Sequence, residues 1–158
     1  MKAAPIQLTN YFVSELQFVA NRAYNRDSPT SITAEALQVA LQPSQKEDNK
    51  REWQITLRVA LNASPESNSP YSFLIEIVGF VTVAESVAEH KIERFAQING
   101  TSLIFAAARE IIKAATSSGP FQALLLPTVT FWEPPPEALA AKTEAPEAIE
   151  SGTAENKE

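Results

Sequence analysis

The sequence predicts an α+β fold: a four-stranded antiparallel sheet followed by one long helix and an extended, apolar crossover loop. Three observations carry the prediction. Four runs in the first half of the chain alternate apolar and polar residues with a period of two. Over Thr101–Ser117 the period becomes helical. At Gly119-Pro120 the helix stops, and a greasy segment around Pro127 follows before the chain turns acidic and proline-rich.

The first run covers residues 6–20, where Ile6, Leu8, Phe12, Leu16 and Phe18 share one parity. Gln7, Thr9, Glu15 and Gln17 occupy the other, together with Tyr11, Val13 and Val19. Asn10 and Ser14 break the apolar side. A turn-forming segment with Pro29 spans 21–31. The second run, 33–42, alternates Leu37, Val39 and Leu41 with polar or small residues and is expected to end at Pro43. Residues 44–51 then read as a charged connection. The third run is the clearest, with Trp53, Ile55, Leu57, Val59 and Leu61 all on one side. Residues 62–70 (NASPESNSP) are dense in turn formers and read as a hairpin loop. In the fourth run, 71–82, Tyr71, Phe73, Ile75 and Ile77 oppose Leu74, Glu76 and Val78, and Gly79 marks a bulge or bend.

The outward sides of the first and fourth strands mix apolar and acidic residues: Tyr11, Val13 and Glu15 on one, Leu74, Glu76 and Val78 on the other. A sheet face that meets only water is normally polar. Scattered surface apolar residues need no cause, but this combination fits subunit or partner contact.

Residues 85–99 read as a short amphipathic helix interrupted by Gly100, and Thr101 or Ser102 could cap the next helix. That helix, Thr101–Ser117, is about 25 Å long at 1.5 Å per residue. Ile104, Ala107, Ala108, Ile111 and Ala115 form one face, and Leu103, Ala106 and Ala114 widen it. Only Arg109, Glu110 and Lys113 give a polar edge. One sheet covers one side of a helix, so Ile104, Ala107, Ala108, Ile111 and Ala115 are the expected oligomer interface. Gly119 suits a left-handed residue after the helix. Beyond it, Phe121, Leu124, Leu125, Leu126, Val129 and Phe131 make an apolar segment in which Pro127 argues against a central strand.

The chain has 158 residues, 44% apolar and 20% charged, and a formal net charge of −6. Residues 133–158 hold seven acids against two lysines, a net −5 of that −6, and four of the eleven prolines. The expected organisation is therefore one folded unit, 1–132, with a near-neutral body, and a Pro-rich acidic tail, 133–158, without fixed structure. A neutral body lacks the electrostatic footprint of a nucleic-acid binder. Lys46, Lys50 and Arg51 are interleaved with Glu47, Asp48 and Glu52 and read as a solvated loop. There is no cysteine, and His90 is the single histidine, so neither a disulfide nor a usual transition-metal site is expected. No phosphate loop, dinucleotide fingerprint or nucleophile elbow occurs. No run approaches the roughly 20 apolar residues of a membrane span. The expectation is a cytoplasmic protein that is not an enzyme, needs no cofactor and works through its surfaces.

The order of elements resembles the SecB family of export chaperones. The resemblance runs from about Pro5 to Trp132 and rests on Asn99-Gly100, Leu103-Ile104-Phe105, Ala108-Arg109-Glu110, Gly119, Phe121 and Leu126-Pro127-Thr128-Val129-Thr130-Phe131. Upstream, Leu57-Arg58-Val59 and Phe73-Leu74-Ile75-Glu76 match the third and fourth strands. The resemblance implies a homotetramer, a dimer of dimers whose long helices meet between dimers. It implies ATP-independent holding of unfolded polypeptide clients for delivery to the SecA translocase ATPase. The crossover loop would line the client groove with Phe121, Leu124, Leu125, Leu126, Val129 and Phe131. Glu15, Leu74 and Glu76 match the family's SecA contact, while Val19 stands at a further position that is acidic in the family. After Phe131, Trp132 and three prolines interrupt the region where the family has a second helix, leaving 137–142 for at most a short one. Two other readings share the fold: a chaperone dedicated to one client such as an antitoxin, and a non-chaperone assembly subunit.

Overall fold

A computed structural model describes residues 3–132. Four strands, β1 (Ile6–Ala20), β2 (Gln38–Lys46), β3 (Asn49–Leu61) and β4 (Tyr71–Val83), form one antiparallel sheet in the order β1-β4-β3-β2. A short helix α1 (Ile92–Phe95) and a five-residue π-turn (Ala96–Gly100) lead into the long helix α2 (Thr101–Ser117). The chain then runs extended, without regular structure, to Trp132. The possible short helix at 137–142 and the acidic tail lie outside the described residues.

The third and fourth strands behave as their alternation demands. Ile55, Leu57, Val59 and Leu61 are at most 1% exposed, and so are Tyr71, Ile75 and Ile77 across the ladder from them or beside them. Together with Ile104, Ala108 and Ile112 of α2 they make the core between sheet and helix. Strand β2 departs from the sequence expectation by running through Pro43 instead of stopping before it. Pro43 sits opposite Ile55 in the ladder. Proline has no N–H to give, and an edge strand is a place in a sheet where that donor is dispensable. The charged connection accordingly shrinks to a tight turn at 47–48, and the Lys46 ammonium bonds the Glu52 carboxylate at 2.6 Å across it.

Strand β1 spans the expected residues, but its two faces are not those that simple parity assigns. Pairing steps from Leu8↔Val81 to Asn10↔Phe80, and from Val13↔Ile77 to Glu15↔Glu76. Each step inserts one extra residue, Thr9 and then Ser14, and each β-bulge reverses the parity that follows it. Cross-strand partners share a face, so Tyr11 and Val13, opposite Gly79 and Ile77, lie on the helix side of the sheet. The expectation that they face outward with Glu15 is corrected. Phe12 takes the outer face instead, its ring 6.3 Å from that of Phe80. Both inserted residues send a hydroxyl to β4: Thr9 Oγ1 donates to Phe80 O at 3.0 Å, and Ser14 Oγ to Glu76 O at 3.3 Å and Glu76 Oε1 at 2.7 Å. The interrupted ladder thus keeps polar partners at both breaks.

Glycine placement sets the distance between helix and sheet. Gly79 lies in register in β4 and forms no bulge; a Cβ there would come within 2.5 and 2.6 Å of Ile104 Cδ1 and Cγ1. Reciprocally, a Cβ on Gly100 would come within 2.6 Å of Ile55 Cδ1 and 3.2 Å of Val81 Cγ2. Gly100 keeps helical dihedrals (φ −61°, ψ −46°), so it does not interrupt the helix as expected. The run from α1 through the π-turn into α2 is continuous, and no side chain caps α2. Thr101 and Ser102 instead donate back to the carbonyls of Gln97 and Ile98.

Gly79→Ala should destabilise the fold by about 1–3 kcal/mol, because the added methyl overlaps both outer carbons of Ile104. Trimming the helix residue to alanine removes both carbons, so Gly79→Ala with Ile104→Ala should be more stable than the two single losses added together. Urea unfolding of the four-member cycle measures this coupling; strict additivity would show that the two residues do not set the spacing.

Candidate functional site

The crossover loop, residues 118–132, is held against the body by its own backbone. The buried Tyr71 hydroxyl lies 3.2 Å from both Thr116 O and Phe121 O, and accepts from Phe121 N–H at 3.0 Å. Leu124 N–H donates to the buried Thr116 Oγ1 at 2.9 Å, and Arg109 Nε donates to Leu126 O at 3.0 Å. Further on, Phe131 packs edge-to-face on Phe105 at 5.6 Å. Because the partners on α2 run from 116 to 109 to 105, the loop retraces the helix in the opposite direction. Gly119 has no left-handed φ; its missing side chain leaves room for Tyr71, whose hydroxyl and ring a Cβ would strike.

These anchors sort the six residues expected to line a groove. Leu124 and Leu126 are 2% and 1% exposed, so they point into the core and do not offer groove surface. Phe121, Val129 and Phe131 are partly buried against the same core. Leu125 alone projects, 60% exposed. The strand-like alternation of burial across 124–126 follows from an extended backbone seated on one side.

More apolar surface lies on the helix side of the sheet than those six residues supply. On β1, the residues Tyr11, Val13, Leu16 and Phe18 pair opposite Gly79, Ile77, Ile75 and Phe73, yet all four remain exposed. On β2, Val39 and Leu41 pair opposite Val59 and Leu57 and are also exposed. Helix and loop cover the middle of the sheet and leave apolar margins at both edges. Sequence parity had placed Tyr11 and Val13 on the other face. The signal that could have found them was Ser14 and the polar pair Thr9-Asn10, which interrupt the apolar alternation where the bulges lie.

The outer face carries Glu15, Leu74 and Glu76 as expected, all half-buried. Its charge is not free. Arg58, paired with Glu76 across β3 and β4, places one guanidinium nitrogen 3.3 Å from Glu15 Oε2 and 3.3 Å from Glu76 Oε2. Gln17 and Ser14 donate to the other oxygens of the two carboxylates, at 2.8 and 2.7 Å. Val19 is exposed beside this cluster, opposite Ser72.

The expected oligomer face on α2 divides in the same way. Ile104 and Ala108 are fully buried against the sheet and are unavailable to another subunit, a correction to the sequence assignment. Ala107, Ile111 and Ala115 are half-buried flanks, and Leu103, Ala106 and Ala114 are exposed. His90 is exposed, and no three His, Asp or Glu side chains converge among the described residues. No described helix is long and apolar enough to cross a membrane.

A family model described as preprotein translocase subunit SecB matches residues 2–133. Uncharacterized protein MJ0357 of Methanocaldococcus jannaschii is 24% identical over 135 residues, covering 82% of this chain and 83% of that protein. Among solved structures, the Mycobacterium tuberculosis SecB-like chaperone Rv1957, in complex with a ChAD peptide from the HigA1 antitoxin, superposes with a TM-score of 0.51 at 10% identity. The match covers 82% of this chain and 94% of that one. A Streptococcus agalactiae protein of unknown function gives a TM-score of 0.40 at 11% identity, over 80% and 99% of the two chains.

Tyr71→Phe keeps the ring and removes the hydroxyl shared by Thr116 and Phe121. It leaves the N–H and C=O of half-buried Phe121 without that partner, while Thr116 O keeps the Gly119 N–H, at a cost of about 1–3 kcal/mol. Hydrogen exchange should accelerate at the Phe121 amide with little local change in the β3 amides; equal acceleration in both would place the hydroxyl's effect elsewhere.

Proposed function

The chain belongs to the SecB family, and from that premise we propose that it is an ATP-independent holdase that binds unfolded polypeptides through exposed apolar surface. The supporting observation is the pair of bare apolar margins on the helix side of the sheet, with Leu125 projecting from the crossover loop. A contiguous exposed apolar surface on a soluble domain marks an interaction site. Such a surface favours extended, apolar segments with little sequence preference. Binding the unfolded state in preference to the native one holds a client open by mass action, without nucleotide chemistry.

Within this reading, the assembly is a dimer of dimers in a cytoplasmic setting, and the outward side of α2, Leu103, Ala106, Ala107, Ile111 and Ala114, meets another subunit. Phe121, Val129, Phe131 and above all Leu125 contribute to the groove, while Leu124 and Leu126 seat its wall. Glu15, Leu74 and Glu76 are the residues for a translocase contact with SecA.

A second reading, a SecB-like chaperone dedicated to one client, draws support from a specific observation. Arg58 already bridges Glu15 and Glu76, and Val19 adds apolar surface where a further acid would strengthen the patch. A face whose two carboxylates share one arginine, and so keep only one net negative charge, has less to offer a basic partner. The similar M. tuberculosis chaperone is described with an antitoxin peptide bound.

The protein should suppress aggregation of a reduced, unfolding client, and light scattering should give the mass of four chains; a monomer without effect on aggregation would sink the holdase reading. Leu125→Ser should weaken client binding roughly tenfold, the factor that corresponds to losing about 1.4 kcal/mol of apolar contact, with an unchanged melting temperature. Leu126→Ser, by contrast, should lower stability by about 3 kcal/mol or more, as removal of a buried leucine does. Titration with the isolated C-terminal segment of SecA separates the two client readings. Binding that Glu76→Lys weakens supports general export; no binding supports a dedicated client.

A further inference from the structure

Three segments far apart in sequence meet where the crossover loop begins. Phe121 is enclosed by Tyr71 on one side, with ring centroids 5.9 Å apart, and by Tyr24 of the β1–β2 connection on another, at 5.0 Å and edge-to-face. The guanidinium carbon of Arg26 lies 5.5 Å from the centroid of the Phe121 ring, and Arg26 Nη2 donates to Pro120 O at 3.2 Å. Gln122 Nε2 donates to the Tyr24 hydroxyl at 3.3 Å. Four contacts therefore run from one loop to three consecutive residues, Pro120, Phe121 and Gln122, and a shallow open cavity lies beside them.

The β1–β2 connection is itself fastened. Asn68, in the β3–β4 loop, adopts φ 42°, a conformation that a residue with a side chain takes up at a cost and keeps only where its surroundings hold it. Its Nδ2 donates to Asn25 O at 2.8 Å and Ser28 O at 3.0 Å, and its Oδ1 accepts from Asn25 N–H at 3.0 Å. Asn68 thus grips the residue next to both Tyr24 and Arg26, and the connection is held in place before it touches the crossover loop.

We propose that Arg26 and Tyr24 are positioning residues for the client groove: they clasp Phe121 at the start of the crossover loop and set how that wall stands relative to the sheet. The proposal rests on the reading of the crossover loop as the groove wall. Arg26 is exposed; the backbone of Phe121 is tied to the buried Tyr71 hydroxyl, and the first fully buried side chain of the loop, Leu124, comes three residues later. Release of the clasp therefore loosens the Phe121 ring and the stretch from Phe121 to Leu124, while the Tyr71 bonds and the core stay in place. Surface cation–π contacts are weak, so the clasped and released forms differ by a modest factor, which a partner at the groove can shift.

The test uses the full chain with Arg26→Ala, Arg26→Lys and Tyr24→Phe, and Arg22→Ala as a charge control in the same connection. Hydrogen exchange reads residues 118–126 and, as reference, 53–61; fluorescence anisotropy reads binding of labelled, reduced and alkylated lactalbumin. Arg26→Ala should speed exchange over 118–126 by roughly two- to fivefold, the scale of an exposed cation–π contact, and shift the lactalbumin Kd by a similar factor. Arg26→Lys should restore only part of both effects, since lysine lacks the planar guanidinium. Exchange over 53–61 and the Arg22→Ala protein should match the wild type. Unchanged exchange over 118–126 overturns the clasp, as does faster exchange with an unaltered Kd. A wild-type protein that does not bind lactalbumin overturns the holdase reading instead, a result distinct from wild-type binding that Arg26→Ala leaves intact.

Discussion

The close seating of α2 on the sheet is the constraint from which the remaining features follow. Ile104 occupies the space that a side chain at Gly79 would fill, and Ile55 and Val81 occupy the space that one at Gly100 would fill. The two glycines lie on opposite partners, so each surface presents a knob to a gap in the other. This brings the helix backbone down onto β4 and β3 and fixes which part of the sheet it covers. Helix interiors disfavour glycine by about 1 kcal/mol relative to alanine; at Gly100 the closer packing of Ile55 and Val81 offsets that loss.

One helix, about 10–12 Å across with its side chains, then lies on four strands spaced about 4.8 Å apart. The outer strand axes are roughly 14 Å apart on that spacing, and side chains extend further. Coverage of the whole inner face is geometrically impossible, and the crossover loop widens the covered strip without reaching both edges. Tyr11, Val13, Leu16 and Phe18 on one margin, with Val39 and Leu41 on the other, stay apolar and exposed for that reason. The bulges at Thr9 and Ser14 extend the β1 margin by turning Tyr11 and Val13 to the inner side. The same strand keeps Glu15 outside, where Arg58 neutralises part of its charge.

The crossover loop is better fastened than its lack of regular structure suggests. Backbone groups that a strand would satisfy by pairing find side chains instead: Tyr71 at its start, Thr116 next, and Arg109 further along. Two leucines enter the core, and the one between them points to solvent. A loop seated in this way can lose its exposed leucine without losing its seat. The beginning of the loop has a second, weaker set of contacts from the β1–β2 connection.

The sequence by itself determined the fold class, the bounds of β1 and α2, and the inward rows of β3 and β4, because period-two and period-3.6 patterns record which side of a local element is buried. It also marked Gly119-Pro120 as the end of the helix and singled out Glu15, Leu74 and Glu76 as outward. Tertiary structure alone decided the rest. Pro43 continues a strand because β2 came to lie at an edge, and Gly100 continues a helix because Ile55 and Val81 needed its space. Ile104, Ala108, Leu124 and Leu126 are core and not contact surface because the sheet fell beneath them, and Tyr11 and Val13 changed faces because two extra residues were absorbed as bulges. Local pattern states that a residue is apolar; only the pairing register and the approach of distant segments state what, if anything, covers it.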